Sequence, residues 1–213
     1  MGGRKTKGTN DNEQNDYALG RAQVRLCRIR AARRAFLRRP PPFLDTIINR
    51  SEYHHLRARI GAYIKKGQVV ADIGCGWGYF SFVFAGLVGI KGKVYSIDLS
   101  KNCIESIQKK ADKRDYHNIV AVASTAADLG FIKDKSVDFV FANGLLCSME
   151  NDRGSAVREI QRIIKPGGFA YLSLGAKPPL GLVDEVEWKD ILKGFHVKGG
   201  GSFEELWALV SLK

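Results

Sequence analysis

From residue 69 onward, short apolar runs alternate with stretches of helical periodicity, and this alternation limits the possible folds more than any other feature. Strands are expected at 69–73, 94–98, 119–123, 137–142 and 170–174. Helices are expected between them at 78–88, 101–114 and 152–164. Ile104, Ile107 and Ala111 show the spacing of one buried helical face. Strand, helix, strand is the order of a parallel sheet covered on both faces, whose strands read as near-continuous apolar runs. After the fifth strand the pattern changes. A helix is expected at 184–193, followed by "FHVKGGGSFEELWALVSL", two apolar strands joined by a glycine-rich turn. The expected fold is α/β: a doubly wound, mostly parallel, seven-stranded sheet with a C-terminal antiparallel hairpin.

A front end of different composition precedes this body. Residues 1–66 hold 16 Lys and Arg against 5 Asp and Glu, whereas residues 67–213 hold 18 against 17. By composition, residues 1–15 form a flexible polar tail. Residues 16–49 read as a basic, Arg-rich helical extension with a Pro-rich linker. Leu19, Ala22, Leu26, Ile29 and Phe36 give the extension an apolar stripe. Residues 21–39 carry eight arginines and no acid. "RRPPPF" stops the helix, because proline lacks a backbone donor and restricts the residue before it. A second helix is expected from Glu52 to Ile64, with Tyr53, Leu56, Ile60 and Tyr63 on one face, and the folded body is assigned to residues 50–213.

Composition also excludes classes of protein. No apolar run approaches the roughly 18 residues of a membrane-spanning helix. "MGGRKTKGTNDNEQND" lacks the apolar centre of a secretory signal, so a cytoplasmic protein is expected. Cys27, Cys75, Cys103 and Cys147 lie far apart with no CxxC pair. That spacing suits reduced thiols, and no metal site is expected.

The stretch "VVADIGCGWGYFSF" carries the chemistry. A dinucleotide site wants GxGxxG, so that a pyrophosphate lies against a helix N-terminus. Here Gly74, Gly76 and Gly78 alternate, Tyr79 stands where Gly or Ala would be needed, and Asp72 would repel a pyrophosphate. Beside a cation the same carboxylate is useful. "VVADIGCGWG" resembles motif I of the class I S-adenosylmethionine (SAM)-dependent methyltransferases. "GKVYSIDLS" resembles their motif II, "STAADLGFIKDKSVDFVFANGLL" the motif III and IV stretch, and "REIQRIIKPGGFAYLSL" the segment closing on strand five. The nearest branch is the small methyltransferases similar to ubiquinone/menaquinone-biosynthesis enzymes, and the likeness covers about residues 50–213.

This resemblance implies a Rossmann-like fold, SAM as cofactor and S-adenosylhomocysteine as product. Carried over by position, it sets Asp72 toward the SAM ammonium through water and Gly74, Cys75, Gly76 and Gly78 along the methionine part. Asp98 would take both ribose hydroxyls, Leu99 would pack on the adenine and the Ala126 backbone would read its edge. Asn143 and Gly144 would lie near the transferable methyl. Thr125 departs from the pattern, since this branch commonly carries Asp there to accept from the adenine amino group. One lost hydrogen bond is worth about 1 kcal/mol.

Methyl transfer from a sulfonium is an in-line displacement that needs alignment and water exclusion more than a dedicated base. "ANGLL" is not the NPPY-type motif of amide and adenine-amino methyltransferases, and the PC segment of cytosine-C5 enzymes is absent. His54 and Tyr53 are candidates for a base or substrate contact, with Asn143 a third. His55, His117 and His196 read as surface or structural residues. Cys147 sits where arsenite methyltransferases carry thiols, but Cys27, Cys103 and Cys147 do not match their spacing. The expected acceptor is a small molecule or lipid-like compound. The alternative is RNA, with the arginines of residues 21–39 clamping phosphates. The same segment would also suit an anionic membrane surface, making the protein peripheral there. A non-catalytic SAM- or RNA-binding module and a dinucleotide oxidoreductase are the remaining alternatives.

Overall fold

The computed structural model describes residues 50–149, 151–176, 183, 185–201 and 205–213. All of these lie within the unit Pro42–Lys213. The flexible tail and the Arg-rich extension of the sequence reading fall outside the described residues. The order is α1 (Arg50–Gly61), β1 (Val69–Ile73), α2 (Tyr79–Val88), β2 (Lys93–Asp98), α3 (Lys101–Lys113), β3 (Ile119–Ala123), β4 (Val137–Asn143), a short 3-10 turn (Leu146–Ser148), α4 (Arg153–Ile163), β5 (Ile164–Ala176), α5 (Glu185–Leu192), β6 (Phe195–Gly201) and β7 (Glu205–Leu212).

The strands form one seven-stranded sheet of order β3-β2-β1-β4-β5-β7-β6. β1 to β5 pair in parallel, and β7 runs antiparallel between β5 and β6. The expected doubly wound sheet with a C-terminal hairpin is therefore present. Successive side chains of each central strand go to opposite faces, and both faces are covered. On one face Val70, Phe139, Phe141 and Tyr171 meet Leu56 and Ile60 of α1, Phe84 and Val88 of α2 and Ile107 of α3. On the other, Ala71, Ile73, Val140, Ala142 and Leu172 meet Ile160 of α4 and Trp188 of α5. Burial on both sides explains why these strands read as continuous apolar runs rather than as alternating ones.

Aromatic rings fill the first face. Phe141 stacks on Tyr171 at 5.3 Å and Tyr171 on Trp207 at 5.7 Å, with the Arg59 guanidinium 4.2 Å above the Trp207 ring. This row ties α1 to the antiparallel half of the sheet.

β5 starts six residues before the strand expected at 170. Val137 pairs with Ile164, and the next pair is Phe139 with Phe169, so "KPGG" bulges out of the ladder. Gly167 adopts φ +80°, and a Cβ on Gly168 would stand 3.0 Å from the Asp138 carbonyl oxygen. Asp138 closes the bulge. It accepts from Lys165 Nζ at 2.8 and 2.9 Å and from the Val69 amide at 2.8 Å.

Candidate active site

In this strand order the chain reverses direction of travel between β1 and β4, and in open α/β sheets ligands bind outside the carboxyl ends of the strands at that switch. The glycine loop leaves β1 there. The amides of Gly74 and Cys75 both donate to the Ile97 carbonyl, at 2.8 and 3.0 Å, which pins the loop onto β2. Gly74, Gly76 and Gly78 all adopt left-handed backbone, at φ +77°, +53° and +84°. They differ in what covers them. A Cβ on Gly74 would stand 3.1 Å from Leu145 Cδ1, and one on Gly78 would stand 2.7 Å from Ile107 Cγ1. A Cβ on Gly76 would meet nothing within 4 Å. Gly74 and Gly78 are thus held by the protein's own packing, and Gly76 opens on the crevice.

Asp98 ends β2 half-buried and is held from both sides. Its Oδ2 accepts from the Gly76 amide and its Oδ1 from the Ser100 amide, each at 2.9 Å. A carboxylate offers about four acceptor positions, so about two remain for a ligand. Leu99 follows with 77% of its surface exposed. The Ser124 amide donates to the Asp98 carbonyl, which brings the loop after β3 alongside. In that loop Thr125 Oγ1 accepts from the Ala127 amide at 3.3 Å, and Ala126 is buried.

Asp72 lies beneath the loop, buried, with its Oδ2 accepting from Ser81 Oγ at 2.6 Å. Burial pushes its carboxyl up to about 7. The Ser81 hydrogen bond opposes that rise, and the nearby Asp98 charge adds to it. Burial also raises the Cys75 thiol well above its usual range, so it is no nucleophile at neutral pH.

At the end of β4, Asn143 Oδ1 accepts from Ser173 Oγ at 2.6 Å. The Gly144 amide donates to both the Ser173 carbonyl and its Oγ, at 3.0 and 3.3 Å. The turn that follows is tied down from within. Cys147 Sγ donates to the Gly144 carbonyl and Ser148 Oγ to the Leu145 carbonyl. The buried Arg153 donates from Nε to the Leu146 carbonyl at 2.8 Å and pairs with Glu187 of α5. Sequence reasoning missed Ser81, Ser173 and Arg153. The two serines did leave a signal, as lone hydroxyls inside apolar runs. Arg153 left none.

The side chains of Tyr53, His54 and His55 lie outside the described residues, while α1 itself is present. His117 is exposed against Asp115 at 2.7 Å and His196 is exposed on β6, neither of them in the loop contacts above. Among the described residues no cluster of His, Cys, Asp and Glu could hold a metal, and no helix is long and apolar enough to cross a membrane.

The geometry suits SAM. An open backbone cradle at Gly76, an oriented acceptor-only carboxylate at Asp98 and an uncovered apolar surface at Leu99 match its methionine, ribose and adenine parts in sequence. Residues 71–172, just under half of the chain, match the family described as "Methyltransferase domain". The chain is 31% identical over 117 residues to the demethylmenaquinone methyltransferase of Geobacillus stearothermophilus, a match covering 55% of this chain and 49% of that protein. It is 32% identical over 105 residues to the Listeria welshimeri demethylmenaquinone methyltransferase, covering 49% and 44%. The chain thus spans about half the length of the curated relatives it matches. Among solved structures, a SAM-dependent methyltransferase from Aquifex aeolicus superposes with TM-score 0.60 at 23% identity, covering 76% of this chain and 98% of that one. The cyclase SpnF superposes with TM-score 0.59 at 22% identity, covering 69% and 58%. The fold alone therefore does not fix the reaction.

Proposed function

We propose that this chain transfers a methyl group from SAM to a small, lipid-like acceptor of the quinone type. The observation that carries the cofactor half of this reading is the Asp98 carboxylate, oriented by two backbone amides beside the open Gly76 cradle. When bound, SAM supplies a methyl group activated on a sulfonium. Asp98 would take the ribose hydroxyls, Leu99 would pack on the adenine, the Ala126 backbone would read its edge with Thr125 at the rim, and the loop from Gly74 through Cys75 to Gly78 would carry the methionine part at Gly76, the glycine that faces open space. Asp72 would add negative potential beneath that cationic end. Asn143 and Gly144 would face the acceptor. The protein's work is to align donor and acceptor and to keep water out. The quinone-type acceptor is inferred from the demethylmenaquinone methyltransferases that the chain resembles over about half their length.

The test uses the full chain with methyl-labelled SAM and demethylmenaquinone, and in parallel with total RNA. Label in the organic phase, reduced about tenfold or more by Asp98→Ala through loss of its charge-assisted hydrogen bonds, is the expected result. Label in RNA, with none in the quinone, would reverse the assignment. It would give the eight arginines of residues 21–39 the role of a phosphate clamp.

A further inference from the structure

We propose that Glu159 and Arg162 of α4 are a positioning pair for the adenine end of the site. Together they set the loop after β3 in a shape that leaves the Ala126 backbone available to a purine edge. The inference rests on the methyltransferase reading above, and adds how the base is selected by two residues that never touch it.

β3 ends at Ala123 and β4 begins at Val137, with no helix or strand between them. A loop of that length keeps one shape only where groups outside it supply partners for its buried backbone. Two side chains one helical turn apart supply them here. Arg162 carries five N–H donors in a planar fork, and all five are engaged. Nε and Nη2 clasp the two oxygens of Glu159 at 2.7 and 2.8 Å. Nη1 donates to the Ile132 carbonyl at 2.8 Å and to Asp134 Oδ1 at 2.5 Å, and Nη2 donates also to the Leu129 carbonyl at 2.9 Å. Glu159 Oε2 in turn accepts from the Leu129 amide at 2.8 Å. Both backbone groups of Leu129 are therefore held by the pair, and the Leu129 and Ile132 side chains are fully buried. The Arg162 and Glu159 side chains are only 26% and 20% exposed, so water competes weakly for these bonds.

The Asp128 amide closes a turn onto the Thr125 carbonyl at 3.1 Å. For that turn to run on as a helix, the Leu129 amide would have to fold back onto Thr125 or Ala126. Glu159 takes that amide instead. Among the described residues neither the amide nor the carbonyl of Ala126 has a hydrogen-bond partner, although the residue is buried. Buried backbone groups are nearly always paired, so a vacant donor and a vacant acceptor here point to a ligand. The Ser124 amide ties the same segment to the Asp98 carbonyl, beside the carboxylate assigned to the ribose. Adenine presents an acceptor, N1, and a donor, the amino group, on one edge. Hypoxanthine reverses both and would set donor against donor, and a site built for one hydrogen-bonding pattern rejects the other.

The experiment measures binding of S-adenosylhomocysteine and S-inosylhomocysteine to the full chain. Thermal melts check that each variant is folded at the assay temperature. Wild type should prefer the adenosyl compound by about tenfold or more, two hydrogen bonds being reversed in the other. Arg162→Lys keeps the charge but loses the fork, and Glu159→Gln puts a donor where an acceptor stood. Each should narrow the ratio severalfold. Asp138→Ala, destabilised outside the clasp, should keep the wild-type ratio and so separates loop shape from stability. Failure of S-adenosylhomocysteine to bind wild type would overturn the cofactor reading and this inference with it. Normal binding without a preference for adenine, or a ratio that both Arg162→Lys and Glu159→Gln leave unchanged, would overturn the positioning pair alone. An equal narrowing in Asp138→Ala would make stability the cause, and would overturn it too.

Discussion

Gly76 and Gly78 share a left-handed backbone, and the two make opposite predictions because of what lies over them. At Gly76 an added methyl meets open space at φ +53°, so Gly76→Ala should cost the fold only about 1 kcal/mol of backbone strain. The methyl would occupy the ligand's space, and S-adenosylhomocysteine affinity should fall about tenfold or more. At Gly78 the methyl would press on Ile107, 2.7 Å away, and overpacking costs about 1–3 kcal/mol before strain is added. Gly78→Ala should therefore lower the melting temperature markedly, with far less change in affinity for the molecules that remain folded. Thermal melts combined with ligand titration separate the two, and identical behaviour would remove Gly76 from the cradle. At this scale Asp98 and the three glycines were legible, because their residue types and spacing carry the family motif. Ser81 and Ser173 were not, since each acts through a partner 9 or 30 positions distant that only the folded sheet brings within reach.

Most elements could be read from periodicity because each central strand is buried on both faces and each helix on one. The start of β5 could not. Pro166 and two glycines read locally as a turn, yet the pairing of Val137 with Ile164 extends the strand back across them. Asp138 holds that irregularity, and its two kinds of partner differ in value. Lys165 is 39% exposed in its side chain, so solvent screens the ion pair, and Lys165→Met should cost less than about 1 kcal/mol. The Val69 amide is part-buried at the start of β1, and Asp138→Ala would leave it without its acceptor, at about 1–3 kcal/mol. Urea denaturation of both variants tests the order. A larger loss in Lys165→Met would mean that the ion pair, not the amide, secures the bulge.

For the molecule as a whole, stability against pH should bear the mark of Asp72. Burial raises its carboxyl from the usual 3.8 to about 7, so the folded chain holds a proton that the unfolded chain releases. The stability this contributes is complete below about pH 4, declines as pH rises, and is gone above about pH 7. The separation of the two values corresponds to about 4 kcal/mol. Asp72→Asn keeps the site neutral and removes the titration. In the ligand-free protein the stability of wild type relative to Asp72→Asn should fall between pH 4 and 7 and level off above. A flat difference would mean that the carboxylate is ionised in the fold throughout. A bound cationic methionine end favours the carboxylate, so ligand stabilisation in wild type should grow from pH 6 to 8.

By itself the sequence determined the alternation of strands and helices, the glycine loop and the acid that ends β2, because these depend on residue type and on spacings of a few positions. Only the tertiary structure decided which of three glycines faces the crevice, how Asn143 is tied to β5, and how deeply Asp72 is buried. Those outcomes depend on atoms supplied by other elements, namely Ile107 of α3, Ser173 of β5 and Ser81 of α2, and no local pattern encodes which of these will arrive.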